Sequence, residues 1–180
     1  KQYLTDINLV NKSVRKIKRS WLDYSKTDHC LDYLINSEKV KKSTNQFNSY
    51  KVNTIWSLKN DSKFYGEVYN NLYHNDKIKL KHIADSLYIQ AKTQKLDIKQ
   101  TAELIVSFVQ DIPYSYVFSS TPCSEREIKS HPCVDGKKYG LLTPSQFLYT
   151  LIGDCDTRSV LLYLILKQLK YTSFKIIFTT

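Results

Sequence analysis

The sequence predicts an α+β protein that is mainly helical over its 180 residues. Helix is signalled by good start signals at Asp97 and Asp154, each leading into apolar residues at helical spacing or in a continuous run. Strand is signalled by residues 174–178, Phe-Lys-Ile-Ile-Phe, so that a strand is expected to begin near Phe174. A composition of 42% hydrophobic and 24% charged residues fits a folded domain with a sizeable core and excludes disorder throughout.

In chain order, Leu4, Ile7, Val10, Val14 and Ile17 recur at steps of three and four, which predicts an amphipathic helix with a basic opposite face. From Ser20 to Asn60 the pattern weakens, and residues 39–49 read as a polar loop. Asp61 or Ser62 caps a helix to about Tyr73, and a second runs from about Lys77 to Gln94, carrying His82 as a partly buried helix residue. Asp97, with Gln100 three residues on, forms a variant of the capping box, and its helix must end before Pro113, because a residue preceding proline is pushed out of the helical region.

Residues 116–142 read as a long connection holding Cys123 and Cys133 together with Pro122, Pro132 and Gly136. Those two cysteines read as a disulfide, as two free thiols, or as part of a zinc site with His131 that lacks an evident fourth ligand. A disulfide points to an oxidising compartment, periplasmic or extracellular. Cys30 receives no role.

At residues 153–166 Gly153 permits a tight turn, Asp154 is an N-cap, and Asp156 adds negative charge to the first turn. Cys155 then falls at the first helical position. The run from Val160 to Leu166 is apolar on every side, which predicts a helix surrounded by protein.

No apolar run is long enough to span a bilayer, and the N-terminus lacks the apolar stretch of a signal peptide. The net charge of +10 invites a nucleic-acid reading, but the lysines are spread along the chain and no zinc-finger, RNP-like or helix-turn-helix signature accompanies them. One local cluster, Arg15, Lys16, Lys18 and Arg19, reads as a solvated helix face, or as a patch meeting anionic lipid head groups if a membrane segment precedes it.

Cys155 has two readings. A thiol at a helix N-terminus sits in a positive potential that favours the nucleophilic thiolate, while a lone cysteine is also a small buried hydrophobe. Asp154 and Asp156 oppose a thiolate unless their charges turn toward backbone donors.

The segment 153–162, Gly-Asp-Cys-Asp-Thr-Arg-Ser-Val-Leu-Leu, running on through Leu169, Lys170 and Tyr171, resembles the cysteine-bearing helix of the bacterial transglutaminase-like superfamily. Residues 108–114, Phe-Val-Gln-Asp-Ile-Pro-Tyr, resemble the helix end and turn upstream of that helix, and residues 139–144, Tyr-Gly-Leu-Leu-Thr-Pro, resemble its lead-in. The resemblance covers roughly the second half of the chain. It implies a papain-like domain over residues 61–180, preceded by a helical and loop extension over 1–60.

It also implies a cysteine nucleophile at Cys155, a histidine on a following strand, an Asp or Asn behind that histidine, and no metal or organic cofactor. Gln110 becomes a candidate polar group near the oxyanion. All four histidines, His29, His74, His82 and His131, precede Cys155, so the expectation is a fragment cut before its histidine. The expected activity is a thiol enzyme acting on a peptide or side-chain amide, a hydrolase rather than a cross-linker, with peptide, protein or cell-wall material as substrate. The alternatives are a catalytically silent module that binds such material and, more weakly, a basic binder of nucleic acid or another anionic polymer.

Overall fold

A computed structural model describes residues 6–11, 13–54, 61–120, 122–125 and 132–169. Among them are six helices and two small sheets, the mainly helical α+β architecture that the sequence predicts. The expected strand near Phe174 lies outside the described residues.

The N-terminal helix is not there. Strands β1 (Asp6–Asn11), β2 (Val14–Leu22) and β3 (Asp28–Asn36) form an antiparallel meander in the order β1-β2-β3. The period of two in β2 is concealed because two of its inward positions are arginines: Arg15, Ile17, Arg19 and Trp21 face the body while Lys16, Lys18 and Ser20 face out. Arg15 donates to the Tyr149 carbonyl at 2.8 Å, and Arg19 pairs with Asp111 at 2.9 Å. The basic cluster is thereby divided, two members turned inward and two outward, with Lys16 paired to Asp32. In β3 the alternation is plain, with His29, Leu31, Tyr33 and Ile35 buried and their neighbours exposed or partly so.

The polar loop expected at 39–49 is instead helix α1 (Ser37–Ser49). The Asn36 side chain caps it by accepting from the Glu38 and Lys39 N–H groups at 2.8 and 3.1 Å. Its buried face is only Val40, Ser43 and Phe47, too thin a stripe to stand out among Lys, Ser and Asn.

Helices α2 (Asp61–Asp76) and α3 (Lys81–Thr93) follow, then α4 (Ile98–Gln110), whose capping box between Asp97 and Gln100 forms as the sequence predicts. Within the long connection, β4 (Tyr116–Val117) pairs in parallel with β5 (Cys133–Val134), and the two cysteines form a disulfide. Helix α5 (Pro144–Thr150), which the sequence reading passed over, starts from a Thr143 N-cap with proline at N1. It ends at Leu151 in the left-handed region, φ 55°, a conformation that costs a non-glycine residue about 1 kcal/mol.

Helix α6 (Cys155–Gln168) is central, as its apolar run implies, packing against α2, α3, α4 and α5. The main core joins Ile17, Trp21 and Tyr33 of the sheet to Leu104 and Phe108 of α4 and to Leu161, Leu164 and Ile165 of α6. Residues on both sides of position 60 therefore share one core. A second cluster, including Phe47, Phe64, Leu72 and Val160, fills the space between α1, α2 and α6. No helix among the described residues is long and apolar enough to cross a membrane.

Candidate active site around Cys155

Three local devices set the position of Cys155. Asp154 is the N-cap of α6, its Oδ1 accepting from the Thr157 N–H at 3.0 Å. Gly153 lies in a parallel bridge with Tyr114, its carbonyl accepting from the Ser115 N–H at 3.0 Å. Arg158, one turn into α6, donates to the Ile112 carbonyl and lies over the Tyr114 ring, 5.3 Å from its centroid. The segment following α4 is thus fastened to the first turn of α6 by backbone and side chain together.

Between α4 and α6 this arrangement leaves a cavity of about 210 Å³. Cys155, Arg158, Ser159 and Leu162 line one wall, at the i, i+3, i+4 and i+7 positions of a single helix face. Gln110 and Val109 line the other. Cys155 is a free, exposed thiol, not a small buried hydrophobe. Gln110 and Cys155, which the resemblance associates, line the same cavity. The Tyr24 hydroxyl donates to Gln110 Oε1, which leaves the amide NH2 as the end of Gln110 able to donate. Arg158 was not singled out from the sequence; its spacing from Cys155 on one helix face is the signal that could have found it.

The electrostatics oppose a thiolate. Partial burial pushes the Cys155 thiol up, and the Asp156 and Asp154 carboxylates push it further. The thiol also faces Asp156 Oδ1 at 4.0 Å, a long and weak donor contact. Asp156 and Asp154 are themselves raised, each first by burial; in Asp156 the Asp154 charge adds to it, while in Asp154 the Thr157 hydrogen bonds and Arg158 counteract it. Of these two acids Asp154 turns its charge toward a backbone donor, as a cap must. Asp156 faces the sulfur.

Removing that charge reverses the effect. Asp156→Asn is expected to move the alkylation profile of Cys155 to lower pH and to raise its rate at neutral pH about five-fold, because an uncharged neighbour no longer penalises the anion. Iodoacetamide kinetics on protein also carrying Cys30→Ser check this, and an unchanged profile would show that the carboxylate does not reach the sulfur.

The described histidines are elsewhere. His29 is buried in the sheet, its Nε2 donating to Asp23 at 2.9 Å and its Nδ1 accepting from Gln90 at 3.2 Å. His82 Nε2 donates to the Leu34 carbonyl at 3.0 Å, on an exposed ring rather than the partly buried one expected, and His74 packs edge-on to Tyr73. None of the three lines the cavity. His131 lies outside the described residues, and the zinc alternative for Cys123 and Cys133 gives way to their disulfide. Among the described residues no group of His, Cys, Asp and Glu could hold a metal ion.

Compared with protein-family models, with curated proteins and with solved structures, the chain matches none of them.

Proposed function

We propose that this chain carries the nucleophile half of a transglutaminase-like thiol enzyme, acting on a peptide or side-chain amide. The observation that supports it is an exposed cysteine at the first position of a central, rigidly packed helix, lining a cavity with Gln110 and Arg158. A base from outside the described residues takes the thiol proton, and the sulfur attacks the amide carbonyl carbon. The Cys155 backbone N–H, free of an intrahelical partner at this position, and the amide of Gln110 on the facing wall of the cavity are the donors assigned to the developing oxyanion. The C–N bond breaks, the amine leaves with the proton, and water then adds to the thioester to release the acid and restore the thiol. No metal or organic cofactor enters this sequence.

Hydrolysis is favoured over transfer because cross-linking needs a separate site for an acceptor amine, and none is recognised at this cavity among the described residues. The disulfide between Cys123 and Cys133 supports an extracytoplasmic setting, where such a bridge persists.

A second reading, a silent module that binds the same class of material, is favoured by the raised thiol and the two neighbouring carboxylates. An activated acyl donor separates the two, since it needs no acid to expel its leaving group. Protein carrying Cys30→Ser is incubated with the p-nitrophenyl ester of an N-acylated amino acid, and adducts are mapped by mass spectrometry. The enzyme reading expects a thioester on Cys155, lost in Cys155→Ala and formed about a hundred-fold more slowly in Gln110→Ala, the loss of one oxyanion donor. A thiol that acylates no faster than that of an unfolded control would favour the silent module.

A further inference from the structure

A second cavity, of about 550 Å³, lies away from Cys155 and shares no lining residue with its pocket. It forms where the end of β3, the first turn of α1, the α2–α3 junction and the start of α5 meet. Its volume falls within the range of sites for small organic molecules.

Its lining is divided by chemistry. Lys39, Lys79 and Lys81 contribute three ammonium groups and Asp85 one carboxylate; with Asp76 set against Lys79, one positive charge remains in excess. Lys81 pairs with Asp85 at 2.5 Å on the exposed rim, while Lys79 is committed to Asp76 at 3.1 Å, to the Asn75 carbonyl and to Gln46 Oε1. Val40 and Leu80 are apolar and buried, while Leu34 and Ile78, 49% and 79% exposed, are apolar residues left facing solvent at the same cavity.

One further lining residue is out of keeping with a surface recess. Ser145 is 2% exposed, and its hydroxyl is buried with no hydrogen-bond partner among the described residues. Its backbone N–H is already committed, donating to Asp76 Oδ2 at 2.8 Å, and Ser43 donates to the other oxygen of the same carboxylate. The network around Asp76 is thus satisfied without the Ser145 hydroxyl. A buried O–H with nothing to bond to is costly, and a native fold retains one where a ligand or water completes it.

The geometry points to a binding site for a small amphipathic anion, a phosphate or carboxylate head on an apolar body. The head sits between Lys39 and Lys81, with the committed Lys79 as wall, and accepts from the Ser145 hydroxyl; the body covers Leu34 and Ile78. The Lys81–Asp85 pair opens or shares its ammonium group when the head enters, and His82, whose Nε2 is committed to the Leu34 carbonyl, stays in place as wall. This site stands independently of the chemistry at Cys155.

Phenyl phosphate, benzoate, inorganic phosphate and 2-phenylethanol serve as probes, with binding to the intact chain read by calorimetry. Phenyl phosphate or benzoate is expected to bind at least about ten-fold more tightly than either inorganic phosphate or the alcohol, since only they carry both halves of the recognised chemistry. Whichever of the two binds more tightly identifies the head group. Ser145→Ala, which deletes an unbonded hydroxyl and leaves the fold intact, is expected to weaken binding about five-fold, and Lys39→Gln with Lys81→Gln about ten-fold. Cys155→Ala should leave binding unchanged. Equal binding by wild type and both sets of variants overturns the assignment, as does the absence of binding by phenyl phosphate and benzoate at about 10 mM, below which even a weak specific site is occupied.

Discussion

Asp111→Ala is expected to destabilise the protein by about 3–5 kcal/mol, a large part of the margin that holds a domain of this size folded. Arg19 is 3% exposed on β2, and its Nη2 meets Asp111 Oδ2 at 2.9 Å, immediately beyond the end of α4. The guanidinium also lies over the Phe108 ring, 4.5 Å from its centroid. That contact gives it an electrostatic partner but does not neutralise it. Without the carboxylate, a full positive charge stays buried against the core, and the cost is that of the orphaned charge rather than of the lost contact.

The control follows from the same physics: Arg19→Met removes the charge and keeps much of the volume, so Arg19→Met combined with Asp111→Ala should be more stable than Asp111→Ala alone. Urea denaturation of the three proteins measures this. Equal stabilities for the single and double variants would mean that water reaches Arg19 when Asp111 is gone. A functional consequence is attached, because Asp111 follows Gln110 directly and Ile112 is clipped by Arg158. Loosening this corner should lower the acylation of Cys155 before the protein unfolds.

Legibility followed how local the determining physics is. The start of α4 is written in Asp97 and Gln100, and the start of α6 in Asp154, because a cap is a contact between residues three apart in sequence. The central place of α6 is likewise written in its unbroken apolar run. The β1–β2 hairpin was not legible because the inward positions at Arg15 and Arg19 are polar in sequence and become tolerable only through Tyr149 and Asp111, more than ninety positions away. Helix α1 was hidden for a related reason: the buried hydroxyl of Ser43 fills an apolar position only because Asp76 accepts its proton. In the site, Cys155 is marked by its helix start, whereas its cavity with Gln110 depends on the packing of α4 against α6 and entered the sequence reading only through resemblance.

Gly153→Ala is the second large effect. A Cβ at this position would lie 2.7 and 2.8 Å from two ring carbons of Phe147 and 3.0 Å from the Thr157 methyl carbon. Both neighbours are fully buried, Phe147 in the main core and Thr157 in the first turn of α6, so neither can swing into solvent to make room. Overpacking of this kind costs about 1–3 kcal/mol. Gly66 supplies the contrast, since a Cβ there meets nothing within 4 Å and the residue lies on the exposed face of α2; Gly66→Ala should stabilise by about 1 kcal/mol through helix propensity alone.

The strain at Gly153 has a direction that matters for chemistry. Its carbonyl bonds the Ser115 N–H, and Thr157 donates to the Asp154 cap, so a methyl group wedged between Phe147 and Thr157 pushes on the turn that presents Cys155. Alkylation of Cys155 should therefore change in Gly153→Ala at temperatures where the protein remains folded, while Cys30, exposed on β3, keeps its rate. If thermal melts showed Gly153→Ala to be as stable as wild type and Cys155 to react as before, Phe147 would have to yield without cost, and the close approach of α5 to the start of α6 would not be what holds the thiol in position.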